Sequence, residues 1–161
     1  MRYIINERQY KLLIEEEQEI LHIPSLRVFG DWETLQKFLE RRGNSLYSVG
    51  GNLNLYETNI ESLGNLTSVG GDFDLEWTDI ESLENLTSVG GDLNLYETNI
   101  ESLGNLTSVG GYLDLDRTNI ESLGNLTSVG GDLDLSRTPL SKKYTIEEIR
   151  NMVKVGGDIY L

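Results

Sequence analysis

The chain is 161 residues long and carries 27 acidic against 13 basic residues, a formal charge of −14. It has no Cys and a single His, His22, which excludes a disulfide framework, a cysteine nucleophile and any multi-histidine metal cluster. The acidity argues against direct binding to nucleic-acid phosphates, and no apolar run approaches the roughly 18 residues of a membrane span.

Residues 1–49 are not repetitive and read as a helical N-terminal cap. Asn6 suits a helix N-cap, and Tyr10, Leu12, Leu13, Ile20 and Leu21 give a partly amphipathic helix to about Leu21, closed by Pro24. Leu26–Phe29 fits a short strand. Asp31 caps a second helix, Trp32 to Arg42, with Trp32, Leu35, Phe38 and Leu39 on one face and Gly43 placed for a left-handed stop. Met1–Tyr10 lacks the apolar core of a secretory signal, so a cytoplasmic location is expected.

Residues 50–140 are built from a repeat. Val-Gly-Gly begins at Val49, Val69, Val89, Val109 and Val129, always 20 residues apart, and once more at Val155. Counting from the first Gly, the four full units are GGNLNLYETNIESLGNLTSV, GGDFDLEWTDIESLENLTSV, GGDLNLYETNIESLGNLTSV and GGYLDLDRTNIESLGNLTSV. A fifth unit opens at Gly130 and departs after GGDLDLSRTPL. Apolar residues hold positions 4, 6, 11, 14, 17 and 20, and position 9 is always Thr. The spacing of two at positions 4 and 6 predicts a short strand, and Gly and Asn near positions 1, 2, 15 and 16 supply turns. One such coil cannot bury its apolar residues alone, so the units must stack. These 91 residues hold 16 acidic and two basic residues, so the whole net charge lies on the repeats.

The stretch Leu53-Asn-Leu55-Tyr-Glu-Thr58-Asn-Ile60 resembles the leucine-rich-repeat core L-x-x-L-x-L-x-x-N-x-L, with Thr in the usual Asn place. The run L-T-S-V-G-G-D-L-D-L is also similar to the coils of receptor L domains. The resemblance covers 50–140 and implies an α/β repeat solenoid, a right-handed leucine-rich-repeat-like coil with one parallel sheet. Gly50, Gly70, Gly90, Gly110 and Gly130 depart from the Leu usual at the first consensus position.

Residues 141–161 read as a C-terminal helical cap with a final strand. Thr145-Ile-Glu-Glu148 matches a capping box, and Ile146, Ile149, Met152 and Val153 form the apolar stripe of a short helix. The opening MRYIINERQYKLL, the segment GDWETLQKFL and the closing SKKYTIEEIRNMVKVGGDIYL loosely resemble small repeat proteins of tailed phages and marine viral sequences. That likeness would place the protein in a host cell cytoplasm.

Variation among the units concentrates at positions 3, 5, 7, 8 and 10. Positions 3 and 5 alternate with the inward residues at 4 and 6 and therefore face outward. The expected partner-binding residues are Tyr56, Asp72, Asp74, Glu76, Trp77, Asp92, Tyr96, Tyr112, Asp114, Asp116, Asp132 and Asp134. Eight carboxylates at positions 3, 5 and 7, with exposed aromatics among them, suit a basic protein partner. A nucleic-acid-binding protein occupied by an acidic rod is a special case. No catalytic residue, cofactor or metal is expected, because no nucleophile or ligand set repeats beside the carboxylates. A structural rod without a single ligand, such as a virion component, is one rival reading. A Ca²⁺-binding ladder is another, although the GGxGxD nonapeptide of calcium-binding β-helices is missing. Val-Gly-Gly lacks the following Gly-Lys-Ser/Thr of a phosphate loop. The four Asn-Leu-Thr sites, from Asn65 to Asn125, read as turns rather than glycosylation acceptors.

Overall fold

A computed structural model describes residues 20–161. Each coil contributes two strands, one before and one after the Gly-Gly pair. The strands of the first set are β1 (Leu21–Ile23), which runs into Pro24-Ser25 instead of the pair, and, before the pair, β2 (Tyr47–Val49), β4 (Leu66–Val69), β6 (Ser88–Val89), β8 (Ser108–Val109), β10 (Ser128–Val129) and β12 (Lys154–Val155). Those after it are β3 (Leu53–Asn54), β5 (Phe73–Asp74), β7 (Leu93–Asn94), β9 (Leu113–Asp114), β11 (Leu133–Asp134) and β13 (Ile159–Tyr160). The first set forms a seven-stranded sheet and the second a six-stranded sheet. All pairings are parallel, and within the repeats they join residues 20 apart, as in Val89↔Val109 and Leu93↔Leu113.

The chain is thus a parallel β-solenoid. The single sheet expected from the sequence is corrected to two. The reason lies in the glycines. Without side chains, the pair lets the chain bend sharply between two extended stretches, so Ser-Val before it and Leu-Asn/Asp after it each join a separate ladder. The stacking is tight there. A Cβ added at Gly70, Gly90, Gly110, Gly130 or Gly156 would lie 2.0–2.3 Å from the carbonyl oxygen of the matching Gly one coil below. Close approach of backbone to backbone is what requires glycine at these positions.

The core is the set of inward positions. Residues at positions 4, 6, 14, 17 and 20 of every full unit are buried, and position 11 is buried in all but the first, where Ile60 is half-buried. Position 9 adds a polar rung. Each Thr hydroxyl donates to the carbonyl of the Leu three residues earlier, at 2.6–2.8 Å from Thr58 to Thr138. The backbone N–H of the same Thr donates to the same oxygen. Burying a hydroxyl is tolerated because it is satisfied within its own turn.

On the return path, the Ser at position 13 accepts from the N–H of position 15, closing a turn at 3.0–3.1 Å in all four units. Position 15 is left-handed: Gly64, Gly104 and Gly124 occupy it, and so does Glu84 at φ 49°. The Asn at position 16 reaches the coil below, as when the Asn125 side chain donates to Gly104 O at 3.0 Å and that of Asn85 to Asn65 Oδ1 at 3.0 Å. These bonds give the Asn-Leu-Thr asparagines a structural role.

The expected first helix, from Asn6, lies outside the described residues except at its end, where Leu21 belongs to β1 instead. Leu26–Val28 is a 3₁₀ turn rather than a strand, because the Ser25 hydroxyl accepts from Arg27 N at 3.3 Å and starts a helical turn. Helix α1 (Trp32–Glu40) is capped by Asp31, whose carboxylate accepts from Thr34 N at 2.7 Å, and it buries Leu35 and Leu39. Tyr47 is fully buried below it, its hydroxyl donating to Leu63 O at 2.8 Å and accepting from Gln36 at 3.3 Å. At the other end, α2 (Pro139–Lys143) starts at Thr138, and α3 (Ile146–Met152) starts with the expected Thr145/Glu148 box. Of the expected α3 stripe only Ile149 and Val153 are buried; Ile146 and Met152 are exposed, because the short helix turns one narrow face to the coil. Among the described residues no helix is long and apolar enough to cross a membrane.

Candidate functional site

The twelve residues expected at a binding face fall into three geometric classes. Position 3 is the first. Asp72 N donates to Asn52 Oδ1 at 3.1 Å, Asp92 N to Asp72 Oδ1 at 3.1 Å, Tyr112 N to Asp92 Oδ1 at 2.7 Å and Asp158 N to Asp132 Oδ1 at 2.8 Å. Each of these side-chain oxygens therefore satisfies an N–H of the coil above. The same oxygens explain the second Gly at Gly71, Gly91, Gly111 and Gly157: a Cβ at Gly91 would sit 2.1 Å from Asp72 Oδ1, and one at Gly111 2.0 Å from Asp92 Oδ1.

Position 5 is the second class. Oδ1 of Asn54, Asp74, Asn94, Asp114 and Asp134 each accepts from the backbone N–H two residues on, at 2.8–3.1 Å. This is an Asx turn, which explains why Asn and Asp interchange there. Burial raises the Asp114 pKa, with the neighbouring Asp134 charge adding to it and the Asp116 N–H opposing it. Tyr112 lies against the same two carboxylates. Its hydroxyl reaches Asp134 Oδ2 at 3.4 Å, and burial, followed by the two charges, pushes its pKa up.

Positions 7 and 8 are the third class. They form the corner between β3, β5, β7, β9 or β11 and the invariant Thr. Position 8 is left-handed in every coil: Glu57 at φ 52°, Trp77 at 55°, Glu97 at 54°, Arg117 at 59° and Arg137 at 58°. At three of the steps the corner brings position 8 of one coil against position 7 of the coil below. Trp77 meets Tyr56 with ring centroids 5.7 Å apart, and Trp77 also meets Tyr96 at 6.5 Å. Arg117 lies 5.8 Å over the Tyr96 ring and pairs with Glu97 at 2.8 Å. Arg137 grips the buried Asp116 carboxylate, with Nε on Oδ1 at 2.7 Å and a second guanidinium nitrogen on Oδ2. Glu76 accepts from the Asn94 side chain at 2.9 Å.

The result is a stripe along the coil axis: Tyr56, Trp77, Tyr96, Arg117, and beside its end Asp116 with Arg137. Tyr56 is 38% and Trp77 45% exposed. Of the expected residues, Tyr56, Glu76, Trp77, Tyr96 and Asp116 share this stripe. Asp72, Asp92 and Asp132 stand in the position-3 ladder, and Asp74, Asp114 and Asp134 in the Asx turns. Tyr112 leans over the turns of Asp114 and Asp134. Glu57, Glu97, Arg117 and Arg137 were not among the expected residues, yet they complete the stripe. The variability of position 8 was the available signal, and it needed the corner geometry to be read.

The other sheet is different. Along β4, β6, β8, β10 and β12 an open groove of ≈ 640 Å³ is lined by Ser68, Ser88, Ser108, Ser128 and glycine backbone, with Lys154 at its end. Val69, Val89, Val109 and Val129 line its floor, so it presents small polar and apolar groups and one cation. Among the described residues there is no group of three or more His, Cys, Asp or Glu placed to hold a metal ion.

Comparison with known proteins gives no match: no family model, no curated protein and no solved structure is similar to this chain.

Proposed function

We propose that this solenoid is a non-catalytic protein-binding module whose partner is basic, and that the aromatic and acidic corner stripe makes the contact. One observation carries the reading. A non-glycine residue in the left-handed region costs roughly 1–2 kcal/mol. The chain uses Gly at the left-handed position 15 in three of four units, yet at position 8 it holds Glu, Trp, Glu, Arg and Arg. Those side chains are kept against the backbone preference, which is the mark of residues retained for what they touch. Exposed Tyr and Trp supply anchors at low entropic cost, and the surrounding carboxylates select a cation-bearing partner.

A purely structural rod is the second reading, favoured by the carboxylates at positions 3 and 5 that bond to backbone N–H groups. Titration of the intact protein with the peptide Lys-Ser-Arg-Ser-Lys-Ser-Arg and with its Glu-substituted counterpart separates the two. Saturable binding of the basic peptide alone supports recognition. Binding of neither peptide supports the rod.

A right-handed coil accompanies this proposal, because parallel strand–crossover–strand connections are almost always right-handed. So does a capping role for the segments at both ends, which would keep the terminal coils from stacking on other molecules.

A further inference from the structure

The first and third repeat units differ at one residue, Asn52 against Asp92, so the chain contains the same Tyr-Glu corner twice: Tyr56-Glu57 and Tyr96-Glu97. The two copies are finished differently. Above Tyr96-Glu97 stands Arg117, its guanidinium 2.8 Å from the Glu97 carboxylate and 5.8 Å over the Tyr96 ring. Above Tyr56-Glu57 the matching residue is Trp77, which covers the ring at 5.7 Å and brings no charge. Among the described residues Glu57 has no ion-pair partner.

The surroundings of the two phenols differ in the same sense. Tyr96 feels Glu97 and Asp116 but also the Arg117 cation, which opposes the rise of its pKa. Tyr56 feels Glu57, Glu76 and Asp74, all of which add to the rise caused by burial, and among the described residues no cation opposes them. One step further, Arg137 repeats the arrangement on Asp116. Two of the coil steps therefore show, inside the molecule, a guanidinium seated on a corner carboxylate.

We propose that the Tyr56-Glu57 corner, with Glu76 and the exposed part of Trp77 beside it, which among the described residues lacks the guanidinium that completes its twin, binds an arginine side chain of the partner. A guanidinium suits it better than an ammonium. It can pack its flat, weakly hydrated plane against the part of Trp77 left exposed between Tyr56 and Tyr96 while its fork of N–H donors reaches the carboxylates beside it. The stripe also fits an extended segment. Alternate side chains of such a segment project to one face about 6.6–6.8 Å apart, close to the 5.7 and 6.5 Å between the rings. The inference rests on the proposed recognition of a basic partner and makes it specific to arginine at one corner.

The test is calorimetric titration of the intact protein with Lys-Ser-Arg-Ser-Lys-Ser-Arg, with the same peptide carrying citrulline for Arg, and with three variants. Trp77→Arg is the informative one. Arg117 already occupies the equivalent left-handed position, so an arginine is compatible with the corner, and the introduced guanidinium would seat itself on Glu57. We expect Trp77→Arg to keep the melting temperature while weakening the peptide about tenfold or more. Glu57→Gln should weaken it about threefold or more, and citrulline should abolish the preference for this corner. Glu147→Gln, on the exposed face of α3, should change nothing. If the basic peptide binds and neither Trp77→Arg nor Glu57→Gln alters its affinity, the arginine seat is wrong while recognition of a basic partner stands. If the basic peptide does not bind the wild-type protein, both fail.

Discussion

Gly90→Ala tests the stacking directly. The added Cβ would lie 2.2 Å from Gly70 O, whereas Cβ atoms essentially never come within 3.0 Å of another heavy atom. The obstacle is backbone, so no side-chain rotation relieves it. The coils must part by about 0.8 Å or more at this point, which stretches Gly90 N→Val69 O (2.8 Å) and Gly91 N→Gly71 O (3.0 Å) out of hydrogen-bonding range. Losing two backbone bonds at about 1 kcal/mol each, together with about 1–3 kcal/mol for the forced overlap, gives a destabilisation of about 3–5 kcal/mol. The matched control is Gly50→Ala. Its Cβ would meet Pro24 O at 3.4 Å, an acceptable contact, because the coil below lacks the Gly-Gly bend. That variant should stay within about 1 kcal/mol of the parent. Urea unfolding followed by far-ultraviolet circular dichroism measures both. Equal stabilities for the two variants would refute the claim that the pair exists for coil-to-coil approach.

Other outcomes follow from the turns and the charges. Glu84→Gly should stabilise the protein by about 0.5–1 kcal/mol in the same assay, since it removes a left-handed non-glycine at φ 49° and gives up an exposed bond from the Ser62 hydroxyl. Asp114→Asn keeps the Asx-turn acceptor that Asn54 and Asn94 use and should raise the melting temperature by a few degrees at pH 7. The sign follows from the raised pKa of Asp114: the folded protein holds that proton more tightly than the unfolded chain does, so the charged form opposes folding above the folded pKa. That opposition fades as the pH falls through the folded pKa to the ordinary carboxylate value, and the gap between variant and parent should narrow in melts at pH 4. Tyr112→Asn should restore the position-3 acceptor that the coil above lacks at Asp132 N, raising stability by about 1 kcal/mol; unchanged unfolding would show that this N–H is satisfied by water.

The period of 20, the inward positions and the Thr rung were all legible in the sequence, because apolar spacing reports burial wherever a unit recurs in phase. The second sheet was not. Ser-Val is too short a stretch to show alternation, and its extended form depends on the neighbouring coil as much as on its own residues. The same limit hid the 3₁₀ turn at Leu26–Val28, where a single hydroxyl of Ser25 outweighs the β-propensity of the residues after it. For the candidate site, the outward direction of positions 3 and 5 was correct, yet direction alone does not separate a carboxylate free for a partner from one bonded to an N–H one coil away. Asp92 and Glu57 are equally acidic in the sequence; the first is tied to Tyr112 N and the second stands at an open corner. Only the register between coils distinguishes them.

The proposed recognition depends on the corner stripe rather than on the total acidity. The affinity of Lys-Ser-Arg-Ser-Lys-Ser-Arg for two single variants separates the two. Asp92→Asn removes a charge from the position-3 ladder and Trp77→Ala removes no charge at all. The expected result is an affinity within about twofold of the parent for Asp92→Asn and a loss of about tenfold for Trp77→Ala. The reverse order, with Asp92→Asn weakened and Trp77→Ala unchanged, would contradict it.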